Sequence, residues 1–315
     1  MQSFMKGVCC AVLGLSVAVC GAHADRRPVH VEGSTSSATI KQGTNYRAIS
    51  SRAPLQAYYQ NLETYFLKQG HLRNDSNARG VNWNSDTLIR NFIQIAMHSE
   101  YGSKSGMFYS MQAEGVLRRW KDPIRISTVY GKSISPTLKQ SFSEDISHTV
   151  SILRNATRHN VSFSNKNPNF LMIVVNDTER RNLRPFLNKV APQLSGPGLR
   201  AILKMPKNVM CMVLARPHDD PRYGYKGAIV IVRAEHTPRM RRSCIQEEMA
   251  QAMGLPNDSD AARPSIFNDN EEFGVLTNHD LMLLRMLYDP RLKPGMTIEQ
   301  VTPILPKVTK AALNR

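Results

Sequence analysis

The stretch Cys244-Ile-Gln-Glu-Glu-Met-Ala-Gln-Ala-Met-Gly-Leu-Pro-Asn257-Asp258 leaves the chain the fewest choices of fold. Ile245, Met249, Ala252 and Met253 recur at i, i+4, i+7 and i+8 and predict an amphipathic helix. Gly254 stands where a C-terminal cap is wanted, and Pro256 prevents the helix from continuing. Away from the apolar stripe, Glu247 and Gln251 lie one turn apart with Glu248 beside them. This is the spacing of a metal-binding helix from which the histidines are missing.

In zinc peptidases carrying HExxHxxGxxH, two imidazoles at i and i+4 hold the ion and the intervening Glu activates its water. Against that pattern Glu247 takes the first His position, Glu248 the general-base position, Gln251 the second His position, Gly254 the glycine and Asn257 the third ligand. Ser265-Ile266-Phe267-Asn268 is similar to the tight methionine turn beneath such a site, with Ile266 in place of the Met. Leu276 to Tyr288 is similar to the closing helix of matrixin-type domains, and Thr277 with Asp280 is a capping pair on physical grounds alone. The chain therefore resembles a metzincin with degenerate ligands. More narrowly, EExxQxxGLxND, SIFND and LYDPRLKPGM resemble the proteobacterial secreted family called domain of unknown function 2927. The resemblance implies an α+β, zincin-like fold: a mixed sheet with a long backing helix and an active-site-type helix, to which the residues add an N-terminal helical layer.

The N-terminus reads as an export signal. Lys6 precedes an apolar run from Val8 to Val19, and Ala22-His-Ala24 is a small-x-small cleavage site, so the mature chain is expected to begin at Asp25. Val19 before Cys20 argues against lipoprotein processing, and no later segment has the length and polarity of a transmembrane helix. The expected location is the periplasm or the exterior. Cys9, Cys10 and Cys20 leave with the signal, and an oxidising compartment predicts that the remaining pair, Cys211 and Cys244, forms a disulfide. Neither has the paired His of a nucleophilic cysteine. The net charge of +16 suits an anionic lipid, lipopolysaccharide or cell-wall polymer better than nucleic acid, which an exported protein rarely meets; a merely soluble basic surface is the plain alternative.

Residues 25–51 are rich in Ser, Thr and Gly and read as a flexible linker. Leu55, Tyr58, Tyr59, Leu62, Tyr65 and Phe66 keep helical spacing up to Gly70. Leu88, Ile89, Phe92, Ile95 and Ala96 predict a second helix capped by Ser85. Residues 52–116 are thus an N-terminal helical layer, 117–296 the zincin-like domain and 297–315 a tail expected to wrap the surface. Trp120, among Arg118, Arg119 and Lys121, is a core anchor or an anion-stacking residue. A strand begins at Ile124, a long helix spans Phe142 to Ala156, and strands follow at 161–163 and 170–175. Helical stretches at 181–191 and 198–205 lead to a strand at 209–214. The apolar run Ala228 to Val232 lies within a strand from Gly224 to Ala234, suited to a buried or edge position above the cleft. His236 is the candidate imidazole nearest in sequence to the central helix.

Zinc prefers nitrogen and sulfur ligands, whereas Glu247, Gln251 and Asn257 offer one carboxylate and two amides, so no metal or other cofactor is expected. The reading that follows is a non-catalytic binding domain for an extended peptide or an anionic envelope polymer. Two alternatives stand beside it. One is a hydrolase in which Glu248, or its neighbour Glu247, pairs with Asp258, Asp269 or His236 for acid/base work or in an atypical oxygen-rich metal site. The other is a structural scaffold of the envelope in which the Glu247, Glu248 and Gln251 face is simply a solvated or capping polar face.

Overall fold

The computed structural model describes residues 46–104, 107–194 and 196–314. The proposed signal and most of the linker lie outside the described residues; the last linker residues belong to the first helix, α1 (Tyr46–Lys68), which ends just before Gly70 at positive φ. Helix α2 (Ser85–Ala96) follows, and its cap is Asn84 rather than Ser85, because the Asn84 side chain accepts the Thr87 N–H. The expectation of a purely helical layer fails here. Two strands, β1 (His98–Lys104) and β2 (Met107–Glu114), pair antiparallel.

The next elements build one sheet. They are β3 (Ile124–Tyr130), the long helix α3 (Pro136–Thr157), β4 (Val161–Phe163) and β5 (Phe170–Val175). Ser135 caps α3 and Pro136 occupies its first turn, a favoured pairing because proline lacks an N–H that would go unsatisfied there. Three short helices follow, α4 (Asp177–Arg181), α5 (Arg184–Val190) and α6 (Gly196–Lys204), then β6 (Cys211–Pro217) and β7 (Tyr225–Arg233). The strand order is β4-β3-β5-β7-β6, with β4, β3, β5 and β7 parallel and β6 antiparallel at one edge. β5 and β7 lie inside the sheet and are buried along nearly their whole length, which is why they read as continuous β-branched runs rather than alternating ones.

Both faces of the sheet are covered. Phe170, Met172 and Val174 point with Val230 and Val232 into a core shared with α3 and with α7 (Pro238–Met253). Leu171, Ile173, Ile229 and Ile231 point the other way, against Leu187 of α5 and Ile202 of α6. The chain then forms α8 (Asn278–Leu287), α9 (Ile298–Val301) and α10 (Leu305–Leu313). The expected surface tail is therefore largely helical. Val301, Leu305, Val308 and Ala312 are buried, and α10 packs on both α2 and α8. Among the described residues no helix is long and apolar enough to cross a membrane.

Cys211 at the start of β6 and Cys244 in α7 are joined by a disulfide with Cα atoms 5.8 Å apart. It closes a loop with a sequence separation of 33, which in a chain-entropy account contributes on the order of 3 to 4 kcal/mol. The bridge fixes the edge strand to the helix that carries the candidate site.

Candidate functional site

Helix α7 is held at both ends by other parts of the chain. At its start the N-cap Thr237 makes no capping bond of its own to the helix. The Glu63 carboxylate of α1 substitutes, accepting hydrogen bonds from the Thr237 hydroxyl and, at 3.3 Å, from the Met240 N–H. A carboxylate at this position also meets the positive end of the helix dipole. At its finish Gly254 has φ +124°, and a Cβ there would come within 2.1 Å of the Arg118 carbonyl oxygen, so only glycine fits. The Trp120 indole N–H donates to the Ala252 carbonyl at 2.8 Å, and the Tyr288 hydroxyl donates to Met253 O at 3.0 Å. Trp120 is a core anchor packed against Phe170 and Tyr225, not an exposed anion platform.

The polar face of α7 is interior. Glu247, Glu248 and Gln251 are exposed by 1%, 0% and 2%, so this face is not solvated. Gln251 Nε2 donates to Asp258 Oδ1 at 3.2 Å. Asn257, at the third-ligand position, is bound to the end of α2: its N–H donates to Ile95 O at 3.2 Å and its Nδ2 to Gln94 O at 2.9 Å. The amide oxygens Gln251 Oε1 and Asn257 Oδ1 are buried and have no hydrogen-bond partner among the described residues. Such orphaned acceptors cost free energy, and here they are the atoms a ligand donor would satisfy. One carboxylate and two amides, with no imidazole or thiolate among them, do not fit zinc.

In the Ser265–Asn268 turn, Ile266 and Phe267 are fully buried. The turn they form is organised by Asp280, which accepts from Ser265 Oγ at 2.5 Å and from the Ile266 N–H at 3.0 Å. The same carboxylate completes the capping box of α8 with Thr277. The Thr277–Asp280 pair, legible in sequence as a cap, thus also ties the turn to the closing helix. His279 beside it is buried; its Nε2 lies 3.0 Å from Asn91 Nδ2, and it packs edge-on to Trp83. An open groove of ≈ 600 Å³ lies elsewhere, lined by His148, Arg242, Gln246 and Leu276 among others, and includes none of the three polar-face residues.

His236 does not serve as a cleft imidazole. Its Nε2 donates to Met210 O at 2.8 Å and lies 3.8 Å from Cys244 Sγ, while the ring packs on Tyr59. Burial pushes its pKa down to about 3, with Arg233 and Arg241 adding to the effect and the Met210 bond opposing it. A second proton would sit on Nδ1, which has no acceptor. The sign of the pH effect follows: the unfolded imidazole binds a proton below about pH 6.5 and the folded one does not, so acidification from there towards the folded pKa favours unfolding. His236→Gln is expected to flatten the stability profile across that window, as followed by denaturant titration at successive pH values. An unchanged slope would show that His236 does not titrate on unfolding.

Sequence reasoning missed a buried ionic network on the opposite side of the sheet. Arg233 is fully buried and donates to Asp177 Oδ1 at 2.8 Å, to Val209 O at 3.1 Å and to Met205 O at 3.0 Å. Arg180, also buried, donates to Ile202 O and to Asp177 Oδ1. A charged residue ending an apolar strand run, as Arg233 does, was the available signal.

The sheet with its single antiparallel edge strand, α7 fastened to that strand, and the turn held by Asp280 of α8 define an α+β domain with an interior carboxylate and amide site. The chain belongs to the family described as "Protein of unknown function (DUF2927)", whose profile matches residues 85–307. No curated protein and no solved structure matches the chain.

Proposed function

We propose that the protein is an exported, non-catalytic, zincin-like domain that holds an extended peptide along β6. The observation that carries this reading is the edge strand itself. β6 is the antiparallel border of an otherwise parallel sheet, and among the described residues nothing hydrogen-bonds to the outer main chain of Val213–Arg216. An open edge of this kind is a template for strand addition, in which main-chain pairing gives affinity and alternate side chains give selectivity. The disulfide holds the strand beside α7, so a bound chain would run near the buried Glu248, Gln251 and Asn257 group.

The zincin-like reading is supported by the strand order, by α3 and α7 sharing one face of the sheet, and by the Ser265–Asn268 turn leading into α8. Loss of catalysis follows from the donor set. Without an activated water, Glu248 at the general-base position has no proton to abstract. Export, with cleavage after Ala24, accords with the disulfide, since such bonds persist in oxidising compartments.

The test is selection of linear peptides from a displayed random library on the mature protein, followed by hydrogen exchange and mass spectrometry with the enriched peptide. Amides of Val213–Arg216 are expected to gain protection, the peptide to remain intact, and Glu248→Gln to bind with unchanged affinity. Peptide cleavage by the native protein that disappears in Glu248→Gln would overturn the non-catalytic reading. Stoichiometric metal in the purified protein, lost in Gln251→Ala, would do the same. Protection elsewhere with none on β6 would overturn the edge-strand reading.

A further inference from the structure

We propose that the face formed by α4, α5 and α6 docks the protein onto an anionic lipid surface. No Asp or Glu occurs between Glu179 and Asp219, although the stretch is dense in Arg and Lys. The structure accounts for two of these cations internally, since Arg180 is buried in the network and Arg181 pairs with Asp177. It leaves Arg184 and Lys189 on α5 and Arg200 and Lys204 on α6 exposed, with no carboxylate paired to them among the described residues. All three helices lie on one face of the sheet, anchored by Leu187 and Ile202 against Ile173 and Ile231. The four cations therefore look outward from one side of the molecule.

Their setting distinguishes this face from an ordinary solvated surface. Val190, next to Lys189 at the end of α5, is 38% exposed, and Phe186 between Arg184 and Lys189 is half-buried. Cations set around an exposed valine, with Phe186 packed partly into the core beneath them, suit an interface that offers both phosphates and acyl chains. α6 packs on both α4 and α5 and also touches β2, and the four cations are spread over two helices, an arrangement that suits a planar anionic surface better than a single linear polyanion. Each Lys or Arg brought to an anionic bilayer raises partitioning roughly fivefold. This face lies on the side of the sheet opposite α7, so the proposal does not depend on peptide binding at β6.

Co-sedimentation of the mature protein with phosphatidylglycerol-containing vesicles tests it, with pure phosphatidylcholine vesicles in parallel. Binding to the anionic vesicles is expected at about 0.1 M salt and its loss near 1 M, where the Debye length shrinks from about 10 to 3 Å. Reversing the patch (R184E, K189E, R200E and K204E) should weaken binding by at least about tenfold. Reversing four exposed cations elsewhere (K132E, R154E, K307E and K310E) should leave most of it. Val190→Asp, which keeps every cation, should weaken it as well. Equal loss in both fourfold variants would reduce the effect to net charge and overturn the proposal. Absence of binding to anionic vesicles, or binding of soluble polyphosphate to the patch without any vesicle binding, would overturn it too.

Discussion

Arg233→Met is expected to destabilise the protein by about 3 to 5 kcal/mol, lowering the melting temperature by on the order of 10 °C. The side chain is fully buried and satisfies the carbonyls of Met205, Pro206 and Val209 in addition to Asp177. Methionine fills similar space but donates nothing, so those acceptors lose their partner in the interior. The network also carries an acid sensitivity. Burial works against ionisation of Asp177, but hydrogen bonds from Arg180, Arg181 and Arg233 outweigh it and hold the carboxyl well below the usual range. A depressed folded pKa contributes stability that is present above the unfolded value, near pH 4, and lost as pH falls through the folded one. Arg233→Met should therefore also shrink the acid-induced loss below pH 4. Arg181→Met, at an exposed partner of the same carboxylate, should cost less than about 1 kcal/mol. If thermal denaturation gives both variants the same small cost, the network is not what holds α4 to β7.

Trp120→Ala is expected to cost a comparable 3 to 5 kcal/mol or so and to loosen one end of α7 in particular. The indole is 1% exposed and does two separable things. Its ring fills the space between Phe170 and Tyr225, and its N–H terminates α7 at Ala252 O. The Trp120 main-chain N–H also donates to the Tyr288 hydroxyl, which donates in turn to Met253 O. Trp120→Phe keeps most of the packing and should lose only about 1 kcal/mol for the missing hydrogen bond. In Trp120→Ala, amide exchange at Ala252–Gly254 should accelerate more than exchange at Cys244–Glu248, which the disulfide still holds. Uniform acceleration along α7 would show that Trp120 supports the global fold and not the helix end.

What could be read from sequence follows from how local each cause is. The finish of α7 was legible because Gly254 and Pro256 act within one turn, and β5 and β7 because strands buried on both faces are continuously apolar. The pairing of β1 with β2 was not, since His98-Ser-Glu-Tyr-Gly-Ser-Lys104 has no alternation to betray it. The burial of Glu247, Glu248 and Gln251 was also hidden. A helical wheel separates polar from apolar positions but cannot register that Asn257 is pinned to α2 or that Glu63 reaches α7 from a distant segment. Arg180 and Arg233 were passed over for the opposite reason: charge is normally a sign of solvent, and only the converging carbonyls and Asp177 make an interior guanidinium tolerable.

The packing of α10 on α2 has a consequence for how the chain is made. Asn257 rests on the last carbonyls of α2, and α2 is covered by a helix at the far C-terminus. A chain emerging from a ribosome presents α2 well before α10, so this wall of the site stays open until α10 has emerged. The group around Gln251 and Asn257 is therefore walled in only once α10 has docked on α2.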